Sequence, residues 1–217
     1  NIHATYRILE NANSLLELQE IYPQRLHLTC LDPVEENQIK EYAEALKSGH
    51  IKLDLVINCV GLLHDETIKP EKSLRNFDPA HFMKVMMVNA LVTPLLGKHF
   101  IHLLSEEAII AALSAKVGSI KDNGLGGWYS YRASKAALNM LIKNMAIEFK
   151  RQKPKCTVLA IHPGTTQTSL SSPFLGNTHY QVHSAQETAK NILSVISAQT
   201  AESSGKFLSW DGSEIPW

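Results

Sequence analysis

The sequence predicts one α/β domain in three layers (α/β/α), with a doubly wound parallel sheet between two layers of helices. Predicted strands and helices alternate along the whole chain, the order that produces parallel strands joined by crossover helices. The segments 53–60 and 108–113 are almost continuously apolar, which is typical of strands buried on both faces. The 217-residue length suits a single domain of this kind, and no linker or repeat divides it.

Capping residues mark several of the elements. Asp32, followed by Pro33, is predicted to cap the helix after the second strand. The long helix that opens at Asp78-Pro79 is expected to bend near Pro94, and Ser184 with Glu187 fits a capping box. The predicted strands are Ile2–Tyr6, Arg25–Leu31, Leu53–Val60, Ala108–Leu113, Cys156–Ile161 and Gly205–Ser209, and the predicted helices are Ser14–Ile21, Asp32–Lys47, Asp78–Leu104, Trp128–Arg151 and one that starts at Ser184.

The start of the chain lacks an expected unit. Six strands fit the Rossmann-type order 3-2-1-4-5-6 only if a further strand precedes them. No Gly-rich turn onto a helix N-terminus, where a pyrophosphate would bind, lies near Asn1. Without the central strand, two inner strand edges would expose unpaired backbone groups. We therefore expect the natural protein to carry one further βα unit, roughly 25 residues long, before Asn1.

Composition excludes several partners. The chain has 21 Lys and Arg and 21 Asp and Glu, so a broad nucleic-acid surface or an anionic membrane surface is not expected. The apolar runs are too short or too interrupted to predict a membrane span. Its three cysteines lack metal-ligand spacing, and His179 and His183 have no acidic or cysteine partner spaced with them. We expect no metal site, free thiols and a cytoplasmic location.

The segment from Tyr131 to Lys135 carries the clearest chemical signal. Residues four apart lie on one face of a helix. An ammonium about 4 Å from the phenol would contribute roughly 4 kcal/mol at an effective dielectric of about 20. This would bring the tyrosine pKa close to the working pH, so the pair predicts a general acid for carbonyl reduction by hydride. The alternative is an ordinary helix with a packed tyrosine and a solvated lysine.

The surrounding motifs resemble those of a known family. The stretch Leu113–Leu138, with Gly118-Ser119-Ile120 and the run Gly126–Leu138, is similar to short-chain dehydrogenases/reductases, and most similar to their C-factor-like branch. The segments His162–Thr168 and Asp211–Trp217 resemble the same branch. The similarity extends over the whole chain from the family's second strand onward.

The resemblance implies roles for the matching residues. Tyr131 would be the general acid, and Lys135 would lower its pKa and hold the nicotinamide ribose hydroxyls. Asn89 would hold a water in a proton relay to Lys135; the alternative is a helix asparagine bonded to its own backbone. Pro163 and Gly164 would shape the loop under the nicotinamide, and Thr166 and Thr168 would lie near its carboxamide and the phosphates.

Four further residues would serve the cofactor. Asn58 and Gly61 match the first and last positions of the family's N-N-A-G, and would support the sheet and the adenosine side. Asp32 matches an aspartate that often meets the adenine, although a simple N-cap is the competing interpretation. Arg7 follows the first strand, where an arginine suits a 2′-phosphate and an acid suits NAD. NADP(H) is therefore expected rather than NAD(H).

The serine of the family's S-x-x-G motif is the main departure. Counting back from Gly118 gives Ala115 at its place, with Ser114 adjacent. Neighbouring strand residues face opposite sides, so Ser114 would serve as the hydroxyl donor only if the strand end twists or bulges. A missing donor costs about 10²–10³ in rate. We expect Ser114 to take the role, with Ser119 as a second candidate.

Taken together, these features predict an NADP(H)-dependent oxidoreductase that transfers hydride between the nicotinamide and a small carbonyl or alcohol. The alternative is a low-turnover NADP-binding signalling or regulatory protein on the same fold. A sugar-nucleotide epimerase fits less well, because only 86 residues follow Tyr131. A homodimer or homotetramer is expected through the two long helices, and the loop Ser169–Val182, with Phe174, Leu175 and Tyr180, is expected to cover the substrate.

Overall fold

A computed structural model of the chain describes residues 1–176 and 181–217. The strands in these residues are β1 (Ile2–Tyr6), β2 (Leu26–Cys30), β3 (Leu53–Asn58), β4 (Leu104–Leu113), β5 (Thr157–His162), β6 (Thr165–Thr166), β7 (Val182–His183) and β8 (Lys206–Ser209). The α-helices are α1 (Asn13–Ile21), α2 (Glu36–Ser48), α3 (Pro79–Met86), α4 (Val92–Phe100), α5 (Tyr129–Gln152) and α6 (Ala185–Ser197). Each predicted strand is present with bounds shifted by at most four residues.

All strand pairs between these named strands are parallel. β3, β4, β5 and β8 form a four-stranded sheet in that order, and β1 pairs with β2. The sheet and its covering helices confirm the Rossmann-type α/β class. No hydrogen bond joins β1 to β3 among the described residues, and this is the position where the sequence predicts one further strand. That additional βα unit stays a prediction.

Two apolar clusters cover the two faces of the four-stranded sheet. Alternate residues of β4 and β5 face opposite ways, as the twofold period of a strand requires. One face packs on α5, and its cluster extends to α2. The other packs on α6. Fully buried members of the first cluster include Ile110, Val158, Ala160, Leu138 and Ile142, and those of the second include Ala111, Leu159 and Ile161.

Helix starts follow the predictions with one correction. Asp78 caps α3, because its carboxylate accepts from the backbone N–H groups of Ala80 and His81 at 2.8 and 2.9 Å. The capping box at Ser184 is confirmed. The predicted N-cap at Asp32 is wrong: α2 begins at Glu36, and the Asp32 carboxylate accepts from the Val34 N–H at 3.1 Å. Asp32 therefore forms a local turn before the helix.

The long helix is irregular before the predicted bend at Pro94. A π-helical turn, Met87–Leu91, joins α3 to α4. Pro94 has no N–H and cannot donate a helical hydrogen bond to the Ala90 carbonyl. Because Ala90 lies within the π-helical turn, the missing hydrogen bond coincides with the irregular part of the helix. The stretch Pro79–Phe100 has the length and apolar composition of a membrane span, a test that a buried core helix also passes. Its buried apolar side chains, Val85, Ala90, Val92 and Phe100, are part of the protein core.

Candidate active site

A cavity of about 1180 Å³ lies at the carboxyl ends of the parallel strands. In open α/β sheets this edge is where ligands bind. Residues following β3, β4, β5 and β8 line the cavity together with the first turns of α5. The predicted site residues in its wall are Gly61, Ser114, Tyr131, Lys135, Pro163, Gly164, Thr166 and Thr168.

Tyr131 and Lys135 lie side by side on α5, which confirms their predicted adjacency. Both side chains are buried, and Lys135 is only 2% exposed. The Lys135 Nζ atom lies 5.7 Å from the centre of the Tyr131 ring and donates a hydrogen bond to the Leu113 carbonyl at 2.8 Å. The close packing of Gly118 fixes the helix here, because a Cβ at Gly118 would lie 2.7 Å from the Lys135 Cβ.

The predicted lowering of the tyrosine pKa is wrong for this geometry. Burial raises the pKa of Tyr131 to about 12 and lowers that of Lys135 to about 8. Removing both charged forms from water costs more than their attraction at about 4 Å returns, and this cost raises the tyrosine pKa and lowers the lysine pKa. At neutral pH the phenol therefore holds its proton while the lysine remains charged, which is the protonation state that a proton donor needs.

Asn89 holds the loop after β3. It lies within the π-helical turn and is 0% exposed. Its side chain accepts from the Leu62 N–H at 2.6 Å and donates to the Leu62 carbonyl and the Ser134 hydroxyl. A Cβ on Gly61 would lie 3.7 Å from the Lys135 ammonium, so this loop borders the lysine directly. The relay function predicted for Asn89 stays a prediction.

The hydroxyl of Ser114 is already used within the protein. Ser114 Oγ donates to Asn139 Oδ1 at 2.6 Å, and Asn139 lies two helical turns beyond Tyr131. A hydroxyl has one proton, so in this arrangement Ser114 has none to offer a substrate oxygen. Ala115 lines the cavity, and the second candidate, Ser119, accepts from the Asp122 N–H at 3.1 Å.

The loop after β5 forms another wall. Gly164 has a φ of 76°, and a Cβ there would lie 2.8 Å from the Trp210 ring, so a side chain would be both strained and crowded. The hydroxyl of Thr166 is bonded to that of Thr188 at 2.8 Å. Thr168 hydrogen-bonds to Ser171, and this bond forms a turn at the start of the following loop.

Three predicted cofactor residues do not line the cavity. Asn58 is buried and supports the end of β3, donating to Thr93 Oγ1 and accepting from the Val60 N–H. Arg7 is exposed just after β1, and Asp32 is partly buried just after β2. These last two lie at the carboxyl ends of neighbouring strands, as their predicted position on the adenosine side requires.

An aromatic cluster lies on one side of the tyrosine. Trp128 packs edge-on against both Tyr131 and Phe174, with ring centres 6.2 and 5.1 Å apart. His64 packs on Phe174, and its Nε2 lies 3.0 Å from the Leu170 carbonyl. Phe174 and Leu175 line the cavity, as predicted for the covering loop. Tyr180 and His179 lie outside the described residues.

One charged group at this site was not predicted from the sequence. Glu71 contacts the N-terminus of α5 through Ser130, although nothing in its polar loop marks it. His162 lines the cavity, with a pKa lowered to about 4 chiefly by burial, so the ring is neutral at pH 7. From its position before Pro163-Gly164 the sequence predicts a packed strand-end histidine, with a ring facing the cofactor as the alternative; the ring lies in the cavity wall. Within residues 1–176 and 181–217 no group of three potential metal ligands occurs.

Comparison with known proteins identifies the family. The family model for short chain dehydrogenases matches residues 2–177, and the chain belongs to this family. Within it, the chain falls in the C-factor-like branch. It is 32% identical to the C-signal protein of Myxococcus xanthus over 147 residues, which cover 67% of this chain and 84% of that protein.

Other relatives are named as enzymes. The chain is 30% identical over 188 residues to 1-hydroxy-2-glutathionyl-2-methyl-3-butene dehydrogenase of Rhodococcus sp. strain AD45, covering 86% of this chain and 78% of that one. The NADPH-bound carbonyl reductase from chicken fatty liver superposes with a TM-score of 0.85 at 26% identity, covering 99% and 87% of the two chains. The carbonyl reductase Sniffer of D. melanogaster shares the fold, with a TM-score of 0.86 at 21% identity over 99% and 87%. An oxidoreductase is thus favoured over a purely regulatory protein.

Replacing Ser114 separates its two possible roles. We predict that Ser114→Ala lowers the free energy of unfolding by about 1–3 kcal/mol, because the buried Asn139 oxygen loses its donor. Urea unfolding measures this change, with Ser194→Ala, an exposed serine of α6, as the control. Unchanged stability with a tenfold or larger loss of turnover would instead assign the Ser114 hydroxyl to the substrate.

Proposed function

We propose that this enzyme reduces a small carbonyl compound with NADPH, and that Tyr131 delivers the proton to the carbonyl oxygen. The observation that carries the proposal is the buried pair of Tyr131 and Lys135 in the wall of the cavity. Gly61 and Gly164 line the cavity at the same edge. The reverse reaction, oxidation of the alcohol, would use the same groups.

The residues of the cavity fit a nicotinamide dinucleotide. Gly61 leaves the space beside the Lys135 ammonium free of a side chain, so ribose hydroxyls would be held there. Pro163 and Gly164 would lie under the nicotinamide, with Thr166 and Thr168 near its carboxamide and the phosphates. Bound NADPH would supply the hydride.

The protein's own part is proton transfer. Because burial holds the pKa of Tyr131 at about 12, the phenol is protonated at neutral pH and donates to the oxygen that gains negative charge. The phenolate left behind is stabilised by the neighbouring Lys135, which is charged below pH about 8. The tyrosine then recovers its proton from solvent, and the proposed route is Lys135 with a water held at Asn89.

The walls near Tyr131 favour a substrate with an apolar body. Leu63, Trp128 and Phe174 line the cavity on this side. Arg132 also lines the cavity, and its guanidinium is held at the start of α5: Nε–H donates to the carbonyls of Gly126 and Gly127, and one terminal nitrogen donates to the Val117 carbonyl. With Ala115 at the serine position, we expect slow turnover, since one missing oxyanion donor costs about 10²–10³ in rate.

NADP(H) is proposed over NAD(H) because of Arg7. The exposed guanidinium at the end of β1 would pair with a 2′-phosphate. The chicken carbonyl reductase, which is similar over nearly the whole chain, was solved with NADPH bound. No acid occupies the Arg7 position, where a carboxylate would favour the free ribose hydroxyl.

We also propose a homodimer or homotetramer formed through the two long helices. Exposed apolar side chains lie along both: Met83, Met87 and Leu91 on the first, and Met140 and Ile147 on the second. Burial between subunits would remove these side chains from water. A cytoplasmic location, with no nucleic-acid or membrane partner, remains our expectation.

The tyrosine is tested by removing its hydroxyl. We predict that Tyr131→Phe lowers NADPH oxidation by at least about 100-fold across a panel of aldehydes, ketones and quinones, because the proton donor is lost. NADPH binding, followed by its fluorescence, should persist. Tyr129→Phe, two residues away on the same helix and partly exposed, is the matched control and should keep full activity. Wild-type turnover in Tyr131→Phe would refute the proposed role.

Cofactor choice is tested at Arg7. We expect Arg7→Ala to raise the KM for NADPH about tenfold and to leave the KM for NADH unchanged, because one charge-assisted contact to the 2′-phosphate is lost. Arg25→Ala, an exposed arginine just before the amino end of β2, serves as the control. An equal effect of Arg7→Ala on both cofactors would remove Arg7 from the 2′ site.

A further inference from the structure

A buried carboxylate from a distant loop contacts the N-terminus of the helix that carries Tyr131. Glu71 is only 5% exposed, although it lies in the polar loop between β3 and α3. Its Oε2 atom accepts a hydrogen bond from the Ser130 backbone N–H at 3.2 Å, and its Oε1 accepts from the Ser130 hydroxyl. Its backbone carbonyl accepts from the Trp128 N–H at 2.6 Å.

The helix needs this partner because its own sequence provides no cap. Trp128 stands at the N-cap position and makes no side-chain bond to the first turn. It is held at a φ of 50°, and Gly126 and Gly127 before it also have positive φ. Backbone N–H groups of a helix's first turn are otherwise left without acceptors. Glu71 supplies from another segment what Ser, Asp or Asn usually supplies locally.

Charge favours a carboxylate at this end of the helix. The amino end of a helix carries partial positive charge, which stabilises an acid there. Among the salt bridges of the described residues none involves Glu71, so Ser130 and the helix terminus are its described partners. Burial of an acid is costly unless hydrogen bonds satisfy its oxygens, and both oxygens are satisfied here.

The residue that Glu71 contacts, Ser130, directly precedes the proton donor Tyr131. Ser130 precedes Tyr131, and both belong to the first helical turn. Trp128, which hydrogen-bonds to Glu71, also packs on the Tyr131 ring. Fraying of this turn would move the phenol away from the substrate oxygen, and misplacement by about 1 Å costs roughly 100-fold in rate.

We infer that Glu71 is a positioning residue, which caps the catalytic helix from the β3–α3 loop and so holds Tyr131 in place for proton transfer. This inference rests on the proposed function of Tyr131. Glu71 lies outside the cavity wall, and it positions Tyr131 through Ser130 and Trp128. Loss of the cap would therefore lower kcat more than it raises the KM for NADPH.

Two substitutions at Glu71 test this inference. Glu71→Ala removes the cap, and we expect kcat to fall at least about tenfold while the KM for NADPH changes less than about threefold. In Glu71→Gln the amide oxygen can still accept from the Ser130 N–H, and the amide NH2 can donate to the Ser130 hydroxyl oxygen. This variant should therefore recover at least about a third of the wild-type kcat. Glu66→Ala and Glu66→Gln, on an exposed glutamate of the same loop, are the matched controls.

Hydrogen–deuterium exchange gives a readout that needs no substrate. The amides of residues 129–132 should exchange at least about tenfold faster in Glu71→Ala, and at the wild-type rate in Glu66→Ala. Unchanged exchange in Glu71→Ala, or a kcat within threefold of wild type in an active enzyme, would overturn the inference. If the amides exchange faster in Glu71→Ala but the wild-type protein reduces no carbonyl, the proposed function is refuted and Glu71 is still the cap of α5.

Discussion

The structure depends on burying a lysine ammonium against a tyrosine ring at the carboxyl edge of the sheet. Lys135 is removed from water, and within the described residues its hydrogen bond is to the Leu113 carbonyl at the end of β4. Gly118 must lack a side chain so that its loop can approach the helix at Lys135. The strand end, the loop and the helix therefore meet at a single charged group, and each constrains the other two.

Burial sets the chemistry of this pair. A phenol with a pKa raised to about 12 stays protonated over the physiological range, and a lysine with a pKa lowered to about 8 is still charged at pH 7. The pair is thus set to donate a proton and then to stabilise the resulting phenolate, the direction that carbonyl reduction requires. A solvated lysine would interact more weakly with the phenolate, because water screens the charge.

Local patterns predicted the fold well and the site only in part. The apolar strands, the capping box at Ser184 and the four-residue spacing of Tyr131 and Lys135 are encoded within a few residues, and all are present. The misplaced N-cap at Asp32 arose because an Asp-Pro pair suits a turn as well as a helix start. Glu71 could not be predicted, since its partner Ser130 is 59 residues away and nothing in either segment indicates the contact.

The pH dependence of kcat/KM for carbonyl reduction by NADPH tests the central claim most directly, because it reports ionisations of the free enzyme. The lysine pKa is lowered, so its charge is present below pH about 8 and is lost above it. We predict a plateau through pH 7 and a fall above pH about 8 that approaches tenfold for each further pH unit. A value that stays constant to pH 10 would contradict the account, because Lys135 would then keep its charge or have no part in the reaction.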